Sequence, residues 1–344
     1  RAGVNPTVPL SVLELAVLTE DGTSADALAG ATEVARAADR AGFLRFWVAE
    51  HHNLPSVAST TPPVLMAHLA AVTDRIRVGS GGVMLPNHAP LVVAEQIAAI
   101  EALHPGRVDL GIGRAPGTDP YTAMALRRSA DLSAEDFPRD LLELMGLLGD
   151  PRPDAWGELV GGDRPLWDRF AATPRAVSHP QILLLGSSGY SARLAGLLGL
   201  RFAFAHHFDM GGTDQAVELY RRSFRPSADL TAPHLIVTAN VLVADTAAEA
   251  ERQALPGQLL VHGIRTGERI RLVDPDEAPR HRWADVARAA RTNRIVGPPE
   301  LAAAELAAVA ERTGAHELMV SSVAHDTSVR VRSLELLLEA FRGR

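Results

Sequence analysis

The chain of 344 residues contains no cysteine, which excludes disulfides, thiolate zinc sites, iron–sulfur ligation and a cysteine nucleophile. It contains no lysine either, so all 34 basic side chains are arginine, a pattern we read as codon bias rather than functional choice. The net charge of -7 comes without a basic block or interleaved aromatics, so there is no electrostatic footprint for nucleic acid. No apolar run approaches the roughly 18 residues of a membrane span, and the beginning of the chain lacks the charged-then-apolar order of a signal peptide. These absences lead us to expect a cytoplasmic protein with neither nucleic acid nor a membrane as partner.

What is present is an ordinary apolar content, 47%, enough for a sizeable core. It is distributed in eight strand-like runs: Leu10 to Val17, Leu44 to Ala49, Ile76 to Ser80, Arg107 to Ile112, Ile182 to Leu185, Arg201 to Ala205, Leu235 to Ala244 and His316 to Val320. Helical patterns separate them, as at Ser24 to Ala41, Pro62 to Val72, Leu91 to Leu103 and Ala192 to Leu198. Strands alternating with helices predict a parallel sheet with helical crossovers. Polar clusters close at least four of the runs instead of gathering at one switch point, which favours an α/β fold of the (β/α)8 TIM-barrel type over an open doubly wound sheet. One domain, 1–344, is expected. Two stretches exceed a plain crossover: about 115–180, after the fourth strand, and about 255–295, after the seventh. Loops of such length are usually functional.

The clusters carry the chemistry. Glu50, His51, His52 and Asn53 follow the second run, and adjacent histidines on extended chain point to opposite sides, so at most one of the pair faces the barrel mouth. Gly81 and Gly82, in a stretch that continues to Asn87 and His88, permit backbone angles closed to other residues and let a flat ring approach the main chain. Gly111, Gly113 and Gly117 mimic a dinucleotide fingerprint, but Pro116, Gly117 and Pro120 continue a loop where that motif must open a helix. The useful residue there is Arg114, whose guanidinium can hold a phosphate with two parallel hydrogen bonds. Ser187, Ser188, Gly189, Tyr190 and Ser191 offer hydroxyls, small residues and backbone N–H groups at a helix start, the physical recipe for a phosphate site. His206 and His207 end a later run. With His51 they could suggest a metal cluster, but the first strand lacks the His-x-His of metal-dependent barrel hydrolases, so no metal is assigned.

In this order the motifs resemble the bacterial luciferase-like flavin monooxygenase superfamily, in its single-chain oxidoreductase branch. The resemblance runs from Leu10–Leu13 through Trp47–Asn53, Val78–Pro86 and Pro105–Gly117 to Leu185–Ser191, Phe202–Phe208 and Glu317–Val320. It implies a barrel binding FMN over the strand ends and an enzyme that uses reduced FMN and molecular oxygen, through a flavin hydroperoxide, to oxidise a small organic substrate. By the same resemblance, His51 matches a histidine that assists the flavin chemistry, with Glu50 beside it as a second catalytic candidate, and Arg114 matches a phosphate-contacting arginine. Ser188 and Ser191 match the luciferase phosphate loop, and Gly81 and Gly82 match a non-proline cis peptide beneath the flavin. His52, Asn87, His206 and His207 are expected around the substrate or behind the catalytic groups. Luciferases carry cysteine where Gly113 stands and glutamate where Ser187 stands, so light emission is not implied. The branch implies a homodimer and reduced flavin drawn from a separate flavin reductase or indirectly from NAD(P)H. The alternatives are a dehydrogenase using a deazaflavin coenzyme and a flavin-binding protein without turnover, with a metal-dependent barrel hydrolase more distant.

Overall fold

The computed structural model describes residues 8–115, 118–127, 136–175, 177–208, 211–290 and 292–344. Ten strands form along the chain: β1 (Leu10–Glu14), β2 (Arg45–Val48), β3 (Arg77–Ser80), β4 (Val83–Met84), β5 (Val108–Gly113), β6 (Gln181–Gly186), β7 (Arg201–Phe204), β8 (Leu235–Val243), β9 (Ile295–Gly297) and β10 (Glu317–Ser321). Eight of them pair in the order β10, β1, β2, β3, β5, β6, β7, β8, and β8 pairs again with β10, which closes the sheet. Every pairing is parallel, so the expected (β/α)8 barrel is the observed fold. The two remaining strands are short additions, β4 beside β5 and β9 beside the end of β8.

The period of two along each strand divides the core. Leu13, Trp47, Leu183, Ala203, Ile236 and Met319 point inward and fill the barrel, while Val12, Phe46, Val48, Leu110, Leu184 and Phe202 point outward and pack against the surrounding helices. Trp47 is fully buried, and its Nε1 donates to Asp109 Oδ2 at 3.0 Å. Its indole fits because β3 carries glycine opposite: a Cβ on Gly79 would stand 2.6 Å from the Trp47 ring and 2.7 Å from Asp109 Cβ.

The amino-terminal end of the barrel is closed by charge. Arg45 bonds Glu317 at 2.9 Å and lies 2.9 Å from Asp109, Arg77 meets Asp109 at 2.7 Å, and the Ser11 hydroxyl donates to Glu317 at 2.5 Å. The two carboxylates are completely buried, so their guanidinium and hydroxyl partners are what make their burial tolerable.

The helices form where the periodicity places them. Ser24–Ala41 begins at a capping box between Thr23 and Asp26 and ends at Gly42, whose φ of 92° is the left-handed conformation of a helix C-cap. The long stretches differ from expectation in detail. Between β5 and β6 the described residues form the α-helices Pro120–Arg127, Phe137–Leu147 and Pro153–Leu159. Pro120 and Pro153 read as loop from composition, but both sit at the very start of a helix, where proline's missing N–H costs nothing. After β8 the helix Ala247–Thr266 runs straight through Leu255 with Pro256 inside it, so the irregular stretch begins only at Gly267. Leu255 and Leu259 bury against Val273, Ala278 and Ala287, and that packing overrides the proline.

Candidate active site

A cavity of about 560 Å³ opens at the carboxyl ends of the barrel strands, the end at which barrel chemistry is built. Its floor combines small residues, Ala49, Gly81, Gly82, Gly113, Ala203 and Ala205, with the inward apolar side chains of Leu13, Trp47 and Met319. The Gly81–Gly82 peptide is cis, as the resemblance implied. A Cβ on Gly82 would stand 2.1 Å from Leu185 Cδ1 and 2.8 Å from the carbonyl oxygen of Gly111, so only glycine fits there. Such a floor suits a flat ring lying against the main chain.

His51 and His52 diverge as expected, and His206 and His207 diverge as well. His51 lines the cavity, whereas His52 turns away and its Nε2 donates to Glu50 Oε1 at 2.8 Å. His207 likewise lines the cavity, with its Nδ1 2.5 Å from Thr238 Oγ1, while His206 is buried with its Nδ1 2.7 Å from Thr213 Oγ1. The Thr238 hydroxyl lies 3.1 Å from the Phe204 carbonyl. Burial, then the neighbouring His206 and His51, push the His207 imidazole down to about 3, which keeps this wall of the cavity uncharged near neutrality.

Glu50 is not part of the cavity wall. It is completely buried and receives the Met84 N–H at 2.8 Å, the Asn87 amide at 3.1 Å and the His88 Nε2 at 2.8 Å in addition to His52. Burial by itself would raise its pKa, but these bonds, His88 foremost, hold it below the usual carboxylate range. An anion so fully engaged fixes the turn Leu85–Asn87 behind the cavity, and Met84 and Pro86, which do line it, are placed as a result. Asn87 belongs to this web, not to the cavity.

Across the mouth, β6 delivers Ser187 and Ser188 to the rim, and the helix Gly189–Leu197 starts immediately after them. Ser188 is the N-cap yet makes no side-chain capping bond, so its hydroxyl is not committed to the helix. Ser187, Ser188 and the buried Ser191 all line the cavity, with the positive end of the helix dipole directed at it. Arg114 reaches the same rim from β5, its guanidinium 4.2 Å from the centre of the Tyr190 ring. That stacking holds the cation beside the serines. Pro116, Gly117 and Asp209 lie outside the described residues.

Sequence reasoning passed over Thr238 and His88. Thr238 shares the inward parity of Ile236 in a largely apolar strand, and that parity was the available signal. His88 was in view as part of the glycine-rich stretch, but only the folded chain shows that it meets Glu50.

Residues 10–317 match the family of luciferase-like monooxygenases. The chain belongs to that family. It is 42% identical over 339 residues to the uncharacterized protein YvbT of Bacillus subtilis (strain 168), with 97% of both chains covered. It is 38% identical over 344 residues to a luciferase-like monooxygenase of Escherichia coli (strain K12), again over 97% of both. The solved structure of apo-MsnO8 superposes with a TM-score of 0.86 at 38% identity, covering 97% of this chain and 98% of that one. Two more distant structures share the fold: the oxygenating constituent of 3,6-diketocamphane monooxygenase from Pseudomonas putida in complex with FMN (TM-score 0.71, 19% identity, 98% and 99% covered), and an F420-dependent secondary alcohol dehydrogenase (0.66, 15%, 98% and 99%). Membership of the family makes this luciferase-like protein an oxidoreductase of the monooxygenase type. Among the described residues, no helix is long and apolar enough to cross a membrane.

Proposed function

We propose that this luciferase-like monooxygenase binds reduced FMN in the carboxyl-end cavity and uses it with molecular oxygen to oxidise a small organic substrate. The observation that carries the reading is the pairing, in one cavity, of an apolar floor that includes the Gly81–Gly82 backbone and a rim bearing Arg114 and three serines. The floor accepts a flat tricyclic ring and the rim a phosphate, so the residues present fit FMN. When bound, the flavin supplies the reducing equivalents by which one oxygen atom passes to the substrate and the other leaves as water.

The chain's own residues bind, orient and shield. Arg114, Ser187, Ser188 and Ser191 hold the phosphate, with Tyr190 steadying Arg114, and Gly189 starts the helix whose N–H groups face it. Gly81 and Gly82 let the ring settle onto the backbone. His51, on the wall of the cavity, is the group assigned to hold or move a proton, while Glu50, with His52 and Asn87, keeps that wall in place. His207 and Thr238 form the opposite, uncharged wall, with His206 behind it. The apolar remainder, including Leu15, Met84 and Leu185, excludes water from the reacting atoms. The reading includes a homodimer in the cytoplasm, with reduced flavin from a separate NAD(P)H-dependent reductase. Light scattering and reconstitution with a reductase test these two additions.

The direct test is anaerobic titration with photoreduced FMN, then admission of oxygen while the absorbance is followed. Saturable binding and reoxidation slower than that of free reduced FMN support the proposal. Binding with immediate reoxidation would favour a passive carrier, and no binding would remove FMN. A deazaflavin coenzyme is the second reading, supported by the same flat floor and by the fold shared with the F420-dependent dehydrogenase. Anaerobic hydride transfer without oxygen uptake would identify it.

A further inference from the structure

Asn53 closes the motif that carries His51, and its backbone is left-handed, with φ of 56°. Its side chain is shared between two distant parts of the chain. The Asn53 amide donates to Asp119 Oδ2 at 3.2 Å and to Thr122 Oγ1 at 3.1 Å, at the start of the helix Pro120–Arg127. Arg269 donates from the other side, to the Asn53 carbonyl at 2.6 Å and to its Oδ1 at 2.9 Å. Next to it, the Thr118 hydroxyl donates to the His52 carbonyl at 3.1 Å.

The two partners differ in how else they are held. In the helix Pro120–Arg127, Ala123 is buried while Tyr121 and Met124 are 85% and 50% exposed, so apolar packing contributes little and polar contacts decide the local stability. Asp119 caps this helix through the Tyr121 and Thr122 N–H groups, both at 3.0 Å, so a bond to Asp119 or Thr122 is a bond to its first turn. The stretch after Gly267 is tied to the β1 loop by Leu272, whose N–H donates to Leu18 O at 3.0 Å. The clasp stands beside the cavity, because His51, two residues before Asn53, lines it, as does Ala115.

We infer that Asn53 is a positioning residue that clasps the Pro120–Arg127 helix and the Arg269 segment to each other at the cavity rim, so that the two open and close together. One amide group does this because its two ends differ. Its oxygen takes the Arg269 guanidinium, and that choice directs its nitrogen toward Asp119 and Thr122. Loss of Arg269 therefore frees the amide to turn and weakens a helix that Arg269 does not touch.

Hydrogen exchange read by mass spectrometry on the full chain, without added ligand, tests the coupling. Arg269→Ala should speed exchange of the amides from Tyr121 to Arg127 roughly three- to tenfold. Asn53→Gly, which keeps the left-handed backbone, should speed exchange both there and around Arg269 to Leu272, and Arg269→Lys should recover part of the protection. Exchange in β2 and β5 should stay at the wild-type rate in all three variants, which separates a clasp from general loosening. Unchanged exchange from Tyr121 to Arg127 in Arg269→Ala would overturn the inference. A second arm rests on the flavin reading, whereas the exchange arm does not. There, Asn53→Gly should raise the association and dissociation rates of FMN together, each severalfold, with the Kd held within about threefold, as removal of a gate requires. FMN rates identical to wild type would show that the clasp does not control entry.

Discussion

The two ends of the barrel are built on opposite plans. At the amino-terminal end, Asp109 and Glu317 are fully buried and saturated by Arg45, Arg77, Ser11 and Trp47. At the carboxyl end, glycines, alanines and apolar side chains make the floor, and Arg114, Ser187, Ser188 and Ser191 line the rim. Polar groups that answer one another within the protein stabilise it, whereas hydroxyls and a guanidinium gathered around a cavity are available to a ligand. The same eight strands thus separate stability from function along their length.

Breaking the closed end should have the largest effect. Asp109→Ala leaves the buried Arg45 with Glu317 alone and deprives the partly buried Arg77 and the Trp47 indole N–H of their carboxylate, and removal of one partner from such a network costs about 3–5 kcal/mol. Urea unfolding measures it, and a loss below about 1 kcal/mol would mean that the network is dispensable.

Adding one methyl group at each of two β5 glycines separates packing from the site. A Cβ on Gly111 would lie 2.1 Å from the Ser80 carbonyl oxygen, a backbone atom that cannot move aside, and overpacking of this kind costs about 1–3 kcal/mol. At Gly113 the first obstacle is the Met84 sulfur at 2.6 Å, the far part of a flexible side chain. Gly113→Ala should therefore keep the thermal midpoint close to wild type while pressing Met84 into the cavity and weakening FMN. Equal thermal losses in the two variants would erase the distinction.

Arg114→Ala works in the reverse sense to Asp109→Ala. Loss of a charge-assisted bond of about 1.5–3 kcal/mol should raise the Kd for FMN roughly ten- to hundredfold, with stability changed by no more than about 0.5 kcal/mol. Arg114→Lys should recover only part of the affinity, because an ammonium lacks the planar fork. The smallest effect is on pH dependence. The His207 pKa lies near 3 when folded against an ordinary 6.5, so the unfolded chain takes up a proton that the folded chain refuses. Stability from this source is lost as pH falls through 6.5 toward 3, about 1–2 kcal/mol between pH 7 and pH 5. His207→Asn should flatten that part of the stability profile, and an unchanged slope would show that His207 protonates without penalty.

The open end was far more legible in the sequence than the closed one. His51 could be expected in the cavity and His52 away from it, because neighbours on extended chain must diverge, whereas nothing local separated His207 from His206. The serine loop was visible because hydroxyls and glycines cluster where a strand gives way to a helix. The closed end joins Arg45 to Glu317 across 272 positions of sequence, and no local pattern announces such a partner. Glu50 failed for the same reason. As a carboxylate beside two histidines it read as catalytic, while its role as the anchor of the Leu85–Asn87 turn depends on Met84 and His88, which lie 34 and 38 positions away. The stretch from Leu255 misled in the other direction, since it continues the helix Ala247–Thr266 through the packing of Leu255 and Leu259.

The division of the barrel into a saturated end and a receptive end is tested most directly by comparing the affinities of FMN and riboflavin, which differ only in the phosphate. Fluorescence titration of the wild-type protein should show FMN bound at least about tenfold more tightly, and Arg114→Ala should remove most of that preference while leaving riboflavin affinity unchanged. Equal affinity of the wild-type protein for both compounds would contradict the assignment of Arg114 and the serine rim to a phosphate.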